Sequence, residues 1–188
     1  MRRMDQIHRD NFYTNYRDLA DYTQFLGLYF DSALAALRPH EVWLDAGAGA
    51  AVAIRGYLTA YPQGGKAVGV GVAYPAQNAL GEAAAVSPNK KELGEQRFNY
   101  VEGYLEDLPP QAFQVFGPHF QLITDVFGPA MYSPLLDRVV RTYAELLAPD
   151  GLLMLVLDMH NLRLVDSSQV ALPIQDWFLA MEGLEVVE

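Results

Sequence analysis

The chain contains no cysteine, which excludes disulfides, thiolate nucleophiles and cysteine-based metal sites together. Charge is sparse, at 19% of residues, and positive charge is the scarcer kind: 13 Lys and Arg stand against 23 Asp and Glu, for a formal net charge of −10. Bulk attraction to nucleic acid or to an anionic membrane is therefore not expected. Basic residues adjoin only at Arg2-Arg3 and Lys90-Lys91. His8, His40, His119 and His160 lack metal-ligand spacing, so no metal is expected. No unbroken apolar run approaches the length of a membrane span. No apolar stretch follows Met1-Arg2-Arg3-Met4-Asp5, as a signal peptide would require. Repeats, low-complexity tracts and linkers are missing too. These absences leave a cytoplasmic protein without nucleic-acid or membrane partners as the expectation.

What is present is apolar residues, 51% of 188, enough for one sizeable core. Their arrangement centres on Glu41-Val42-Trp43-Leu44-Asp45-Ala46-Gly47-Ala48-Gly49-Ala50-Ala51. Val42, Trp43 and Leu44 form a short apolar run suited to a strand buried on both faces. Gly47 and Gly49 allow a sharp turn and a close approach to the main chain. Residues 50–61 suit a helix whose unpaired N–H groups would point back over that turn.

Around this stretch, strands and helices alternate. Apolar residues at helical spacing predict one long amphipathic helix or two short ones over 15–37, closing before Pro39. Further strands are expected at 66–72, 98–102, 120–124 and 152–157, with a last one beginning at 184–187. A helix is expected over 76–85. Ser133-Pro134 reads as a helix start, serine capping and proline at the first position. That helix would bury Leu135, Leu136, Val139, Val140, Tyr143, Leu146 and Leu147 and end at Pro149-Asp150-Gly151. A short helix over 173–181 stops at Gly183. The alternation predicts an α/β fold, a doubly wound and mostly parallel sheet with helices on both faces. Within it the strands at 42–45 and 120–124 should be parallel neighbours. Residues 1–40 are read as a helical segment packing on a domain formed by 41–188.

Ligands of such sheets bind beyond the carboxyl ends of the strands, near the reversal of strand order. That rule selects residues 45–49, 71–74, 103–107, 125–129 and 158–161. The motifs there resemble those of the class I S-adenosylmethionine-dependent methyltransferases. Asp45, Gly47 and Gly49 match an acidic residue followed by G-x-G-x-G. Gly103-Tyr104-Leu105-Glu106-Asp107-Leu108-Pro109 is similar to G-D-x-x-x-L-P, and Phe120-Gln121-Leu122-Ile123-Thr124-Asp125 to the fourth strand. Leu146-Leu147-Ala148-Pro149-Asp150-Gly151-Leu152-Leu153 is similar to L-L-x-P-G-G-x-L. The resemblance implies a Rossmann-like methyltransferase fold and S-adenosylmethionine as cofactor. It implies contacts from Asp45, Gly47, Ala48, Gly49, Gly71, Val72, Tyr104, Leu105 and Asp125. By the same resemblance the N-terminal segment would lie over the cofactor, where Tyr13 and Tyr16 could line the site.

Three positions depart from the family's pattern. Gly71 stands where a carboxylate for the ribose hydroxyls is usual, Tyr104 where an adenine-side aspartate is usual, and Ala51 replaces a glycine. A charge-assisted hydrogen bond contributes ~1.5–3 kcal/mol, so cofactor binding should be weak and Gly71→Asp should tighten it. Methyl transfer needs in-line placement and desolvation, with a base only where the nucleophile carries a proton. Asp125 and His160 are the candidates, against a loop-capping role for Asp125 and an ordinary exposed loop residue at 160. The leading reading is a small-molecule methyltransferase. The alternative is a methyltransferase-like binding or assembly protein that no longer catalyses. A nicotinamide-dependent oxidoreductase would need glycine in place of Val52 and an acid ending the second strand. The resemblance also implies a closing C-terminal hairpin, within whose first arm the chain is expected to stop, leaving an edge for a homodimer partner, the N-terminal segment or residues of a longer protein to cover.

Overall fold

Five parallel strands form the main sheet, in the order β5-β2-β1-β6-β7. The computed structural model describes residues 17–71, 76–77, 83–84, 96–133, 135–157, 164–165, 171–172 and 174–179. The strands are β1 (Val42–Ala46), β2 (Lys66–Gly71), β5 (Phe98–Glu102), β6 (Phe120–Val126) and β7 (Leu147–Val156). β1 lies between β2 and β6, with Leu44 opposite Val68 on one side and Ile123 on the other. The expected parallel neighbours are thus the central pair, and the fold is the doubly wound, Rossmann-like one. Contacts divide the chain at Val156 into two compact units, and the sheet belongs to the first.

Side chains alternate across β1, and this alternation builds two layers. Trp43 points toward α1 (Leu19–Leu26), α2 (Leu28–Ala36) and α3 (Val52–Ala60). Its ring meets Tyr22, Phe30 and Tyr57 at centroid distances of 6.2, 5.8 and 5.5 Å, all edge-on. On the opposite face lies α5 (Leu136–Leu146), whose buried Leu136, Val139, Val140, Tyr143 and Leu146 recur at helical spacing. Gly27 separates α1 from α2 with a φ of +74°, the left-handed region that glycine enters without steric cost. Asp18 starts α1 by a reciprocal cap with Asp21.

Three local expectations change. Over 76–85 there is no single helix: β3 (Ala76–Gln77) and β4 (Ala83–Ala84) pair antiparallel. Asn78 and Gly81 lie between them in sequence, and both are poor helix formers. The helix expected from Ser133-Pro134 begins instead at Leu136. Ser133 ends the short α4 (Pro129–Tyr132), and its Oγ accepts from Leu135 N and donates to Glu106 Oε1, each at 3.0 Å. Leu135 is consequently exposed rather than buried. Pro149-Asp150-Gly151 does not end that helix either. β7 begins immediately at Leu147, and the three residues are absorbed where the register with β6 jumps from Phe120–Leu147 to Leu122–Leu152. Asp150 takes the strain, with a φ of +62°.

In the second unit, β8 (Leu164–Val165) and β9 (Ala171–Leu172) pair antiparallel, and α6 (Ile174–Leu179) follows. The strand expected at 184–187 and the stop at Gly183 lie outside the described residues. Among those described, no helix is long and apolar enough to cross a membrane.

Phe30 is fully buried against both Tyr22 and Trp43. Phe30→Ala should cost about 3–5 kcal/mol, seen as a lower urea midpoint at an unchanged slope.

Candidate functional site

Strand order reverses between β1 and β6, and the turn after β1 stands at that point. Gly47 has a φ of +81° and Gly49 of +52°. Gly47 is required twice over, because a Cβ there would lie 2.7 Å from Gly128 Cα, in the loop after β6. The two loops meet backbone to backbone. Gly47 N and Ala48 N both donate to Val70 O, at 2.8 and 3.0 Å, anchoring the turn on β2. Ala51 is fully buried and left-handed, with φ +55° and ψ +33°. The residue that replaces the motif's last glycine therefore keeps a glycine's backbone shape, at a cost of about 1–2 kcal/mol.

Asp45 lies one residue before the turn's end of β1 and is completely buried. Tyr22 Oη donates to both its carboxylate oxygens, at 2.9 and 3.0 Å, and Thr124 Oγ1 donates to Oδ1 at 2.9 Å. Trp43 Nε1 completes the chain by donating to Thr124 Oγ1 at 2.9 Å. Burial pushes the Asp45 carboxyl up to about 7, against the opposing pull of the Tyr22 and Thr124 hydrogen bonds.

Asp125 faces the other side of the sheet and is also completely buried. Its Oδ1 accepts from Gly128 N at 2.6 Å, and its Oδ2 from Ala130 N at 2.7 Å and Tyr143 Oη at 2.6 Å. It thereby holds the first turn of α4 and fixes Gly128 against Gly47. Burial raises its carboxyl to about 6, while the Tyr143, Ala130 and Gly128 bonds work in the opposite direction.

Gly71 ends β2, opposite Glu102 of β5. A Cβ on Gly71 would meet Tyr100 Oη at 2.6 Å, and one on Gly69 would meet Tyr100 Cδ2 at 2.9 Å. The Tyr100 ring thus lies across β2, and its hydroxyl donates to Gly49 O at 2.9 Å. Gly71→Asp is then no simple gain, because the new side chain must first displace Tyr100. Tyr104 precedes the 3-10 turn Leu105–Asp107 with an extended backbone, and Leu105, the first residue of that turn, is buried. Gly103 N donates to Gly71 O at 2.8 Å, so these residues adjoin the end of β2. The structure therefore brings Gly47, Ala48, Gly49 and Gly71 together, with Gly103-Tyr104 beside them. Val72, His160, Tyr13 and Tyr16 lie outside the described residues. Among the described residues no three acidic or histidine side chains group as a metal site.

Tyr22, Thr124, Tyr143 and Tyr100 were not legible as site residues. Tyr22 sits in an aromatic stripe that reads as core, and Tyr100 alternates with Phe98 like any strand residue. Arg17 is a further case: its Nη1 reaches Val126 O at 3.4 Å and its guanidinium lies 5.2 Å over the Phe127 ring.

No protein-family model matches the sequence, and no curated protein does either. Solved structures do. A protein provisionally described as a sarcosine dimethylglycine methyltransferase, from Galdieria sulphuraria, is 19% identical with a TM-score of 0.50, over 72% of this chain and 46% of that one. A precorrin-6y C5,15-methyltransferase from Geobacter metallireducens GS-15 is 18% identical with a TM-score of 0.41, over 66% and 58%. An S-adenosylmethionine-dependent methyltransferase from Thiobacillus denitrificans, in complex with S-adenosyl-L-homocysteine, is 15% identical with a TM-score of 0.46, over 80% and 53%. The chain spans about half the length of the structures it matches. At these identities the likeness is one of fold, and the fold is that of the class I methyltransferases.

The two raised carboxyls give the stability a pH dependence of defined sign. Between the unfolded carboxylate value near 4 and the folded values of about 6 and 7, the native state holds protons that the unfolded chain releases. Stability should therefore fall as pH rises from 5 to 7.5, by up to about 1.4 kcal/mol per unit for each proton. Glu41, lowered mainly by its Arg38 hydrogen bonds, acts in the opposite sense but below this window. Urea unfolding at pH 5, 6, 7 and 8 measures the slope, and Asp45→Asn should flatten it.

Proposed function

We propose that the chain binds S-adenosylmethionine over the turn between β1 and α3 and transfers its methyl group to a small molecule. The observation that carries this reading is the turn itself. Residues 47–51 hold three left-handed conformations at the reversal of strand order and lead directly into α3. A cradle with Gly47 pressed on Gly128 leaves main chain rather than side chains to meet a ligand, which fits a nucleoside. Gly47, Ala48 and Gly49 would hold it, with Gly71 and Tyr104 flanking and Val72 and Leu105 supplying apolar contact. Bound there, the cofactor would supply an electrophilic methyl group on a sulfonium.

The chain's own residues place and desolvate. Asp45, held by Tyr22 and Thr124, fixes the end of β1 that leads into the turn. Asp125 spends its carboxylate on three donors and shapes the loop that faces Gly47. His160 remains the candidate base where the nucleophile carries a proton. A second reading has a specific observation behind it. Both acidic residues nearest the turn are buried and hydrogen-bonded, and Gly71 offers no acid, as in a fold kept for binding or assembly. A homodimer would suit that role.

Calorimetry with S-adenosylhomocysteine tests the first reading. Wild type should bind in the micromolar range, about −8 kcal/mol. Gly47→Ala should bind at least tenfold more weakly and lose roughly 2 kcal/mol of stability, from positive φ and contact with Gly128. No binding by folded wild type would leave the binding or assembly reading, which sedimentation at increasing concentration would then address. Turnover with labelled S-adenosylmethionine across small hydroxyl and amine acceptors separates catalysis from binding.

A further inference from the structure

Tyr100 accounts for the two glycines of β2. Its ring runs across that strand from β5, where a side chain on Gly69 would strike Cδ2 and one on Gly71 would strike Oη. Gly71 carries no positive φ, so its backbone does not require glycine; the space taken by Tyr100 does. The hydroxyl ends 2.6 Å from the Gly71 Cβ position. That is comparable to the distance from an aspartate's Cβ to its own carboxylate oxygens. An oxygen thus stands at the end of β2 without an acid in the sequence there. The same Cβ position is 3.5 Å from Gly49 N, so this oxygen adjoins the turn.

The hydroxyl's proton is committed. Tyr100 donates to Gly49 O, and burial, with Asp45 and Glu102 nearby, pushes its ionisation well up. A phenol that donates once still has lone pairs to accept with. The group therefore presents a neutral acceptor beside a nucleoside cradle, and a ribose hydroxyl is the donor of matching chemistry.

We propose that Tyr100 is the sugar-recognition residue of this site: its hydroxyl, held by Gly49 O across Gly69 and Gly71, accepts from a ribose hydroxyl of the bound nucleoside. This rests on the nucleoside-binding reading above. A neutral hydrogen bond is weaker than one to a carboxylate, so discrimination should be about 3- to 10-fold.

Calorimetry with S-adenosylhomocysteine and its 2′-deoxy and 3′-deoxy analogues tests it. Wild type should bind the parent about 3- to 10-fold more tightly than one of the analogues. Tyr100→Phe should bind the parent more weakly by that factor and lose the preference. Gly71→Ala, which keeps the tyrosine but puts a methyl 2.6 Å from its hydroxyl, should lose the preference as well. A wild type that binds the parent and both analogues equally overturns the proposal without needing either variant. A folded Tyr100→Phe that melts lower yet keeps the preference also overturns it, leaving Tyr100 a strut for the turn. Failure of wild type to bind the parent at all overturns the nucleoside reading, and this inference with it.

Discussion

A carboxylate taken out of water on a central strand must be satisfied by whatever packs over it, and Asp45 sets that condition here. Removing one partner from a buried charged group costs several kcal/mol, more than most single contacts in a domain contribute. The groups that meet Asp45 come from two distant parts of the chain. Tyr22 reaches it from α1, and Thr124 reaches it from β6 while accepting from Trp43. The hydrogen-bond chain therefore ties the N-terminal helices to the sheet and fixes β6 beside β1. The aromatic packing around Trp43 supplies the apolar surface that keeps the site dry. Dryness in turn raises the carboxyl and makes its partners obligatory.

On the other face, Asp125 does for the second loop what Asp45 does for the first helix. Two backbone donors on one carboxylate fold residues 128–130 into a tight start for α4, and Tyr143 of α5 holds the same carboxylate. Gly128 is then driven against Gly47, so the two loops at the reversal point shape each other without intervening side chains. A third brace comes from β5, where Tyr100 crosses two glycines to hold Gly49. The turn is thus set from β2 by Val70, from the loop after β6 by Gly128 and from β5 by Tyr100. A turn braced in this way is preorganised, which reduces the ordering cost of any binding there.

Much of the fold was legible because its signals are local. Short apolar runs separated by helical periodicity marked the strands along the chain and a mostly parallel sheet, and 42–45 and 120–124 could be paired from topology rules alone. The glycines at 47 and 49 marked the turn because a left-handed backbone leaves few alternatives. Where neighbours decided the outcome, the local signal misled. Ser133-Pro134 looks like a helix start, yet Asp125 begins a helix four residues earlier and Ser133 closes it. Pro149-Asp150-Gly151 looks like a stop, yet the chain enters β7 at once and folds the three residues into an irregularity. Residues 76–85 are rich in helix formers, yet Ala76–Gln77 and Ala83–Ala84 pair as antiparallel strands.

The sequence by itself determined the fold class and the glycine turn after β1, since each follows from periodicity and from what glycine alone permits. It also set a glycine at position 71, where the resemblance to the methyltransferases implies an acid, without showing why. Only the tertiary structure decided that Tyr100, twenty-nine residues away, occupies that space, and that Ala51 keeps a glycine's conformation. It likewise showed Asp45 and Asp125 buried and hydrogen-bonded to protein donors. A carboxylate's role depends on whether water or protein donors surround it, and burial is a property of the packed chain, not of the residue or its spacing.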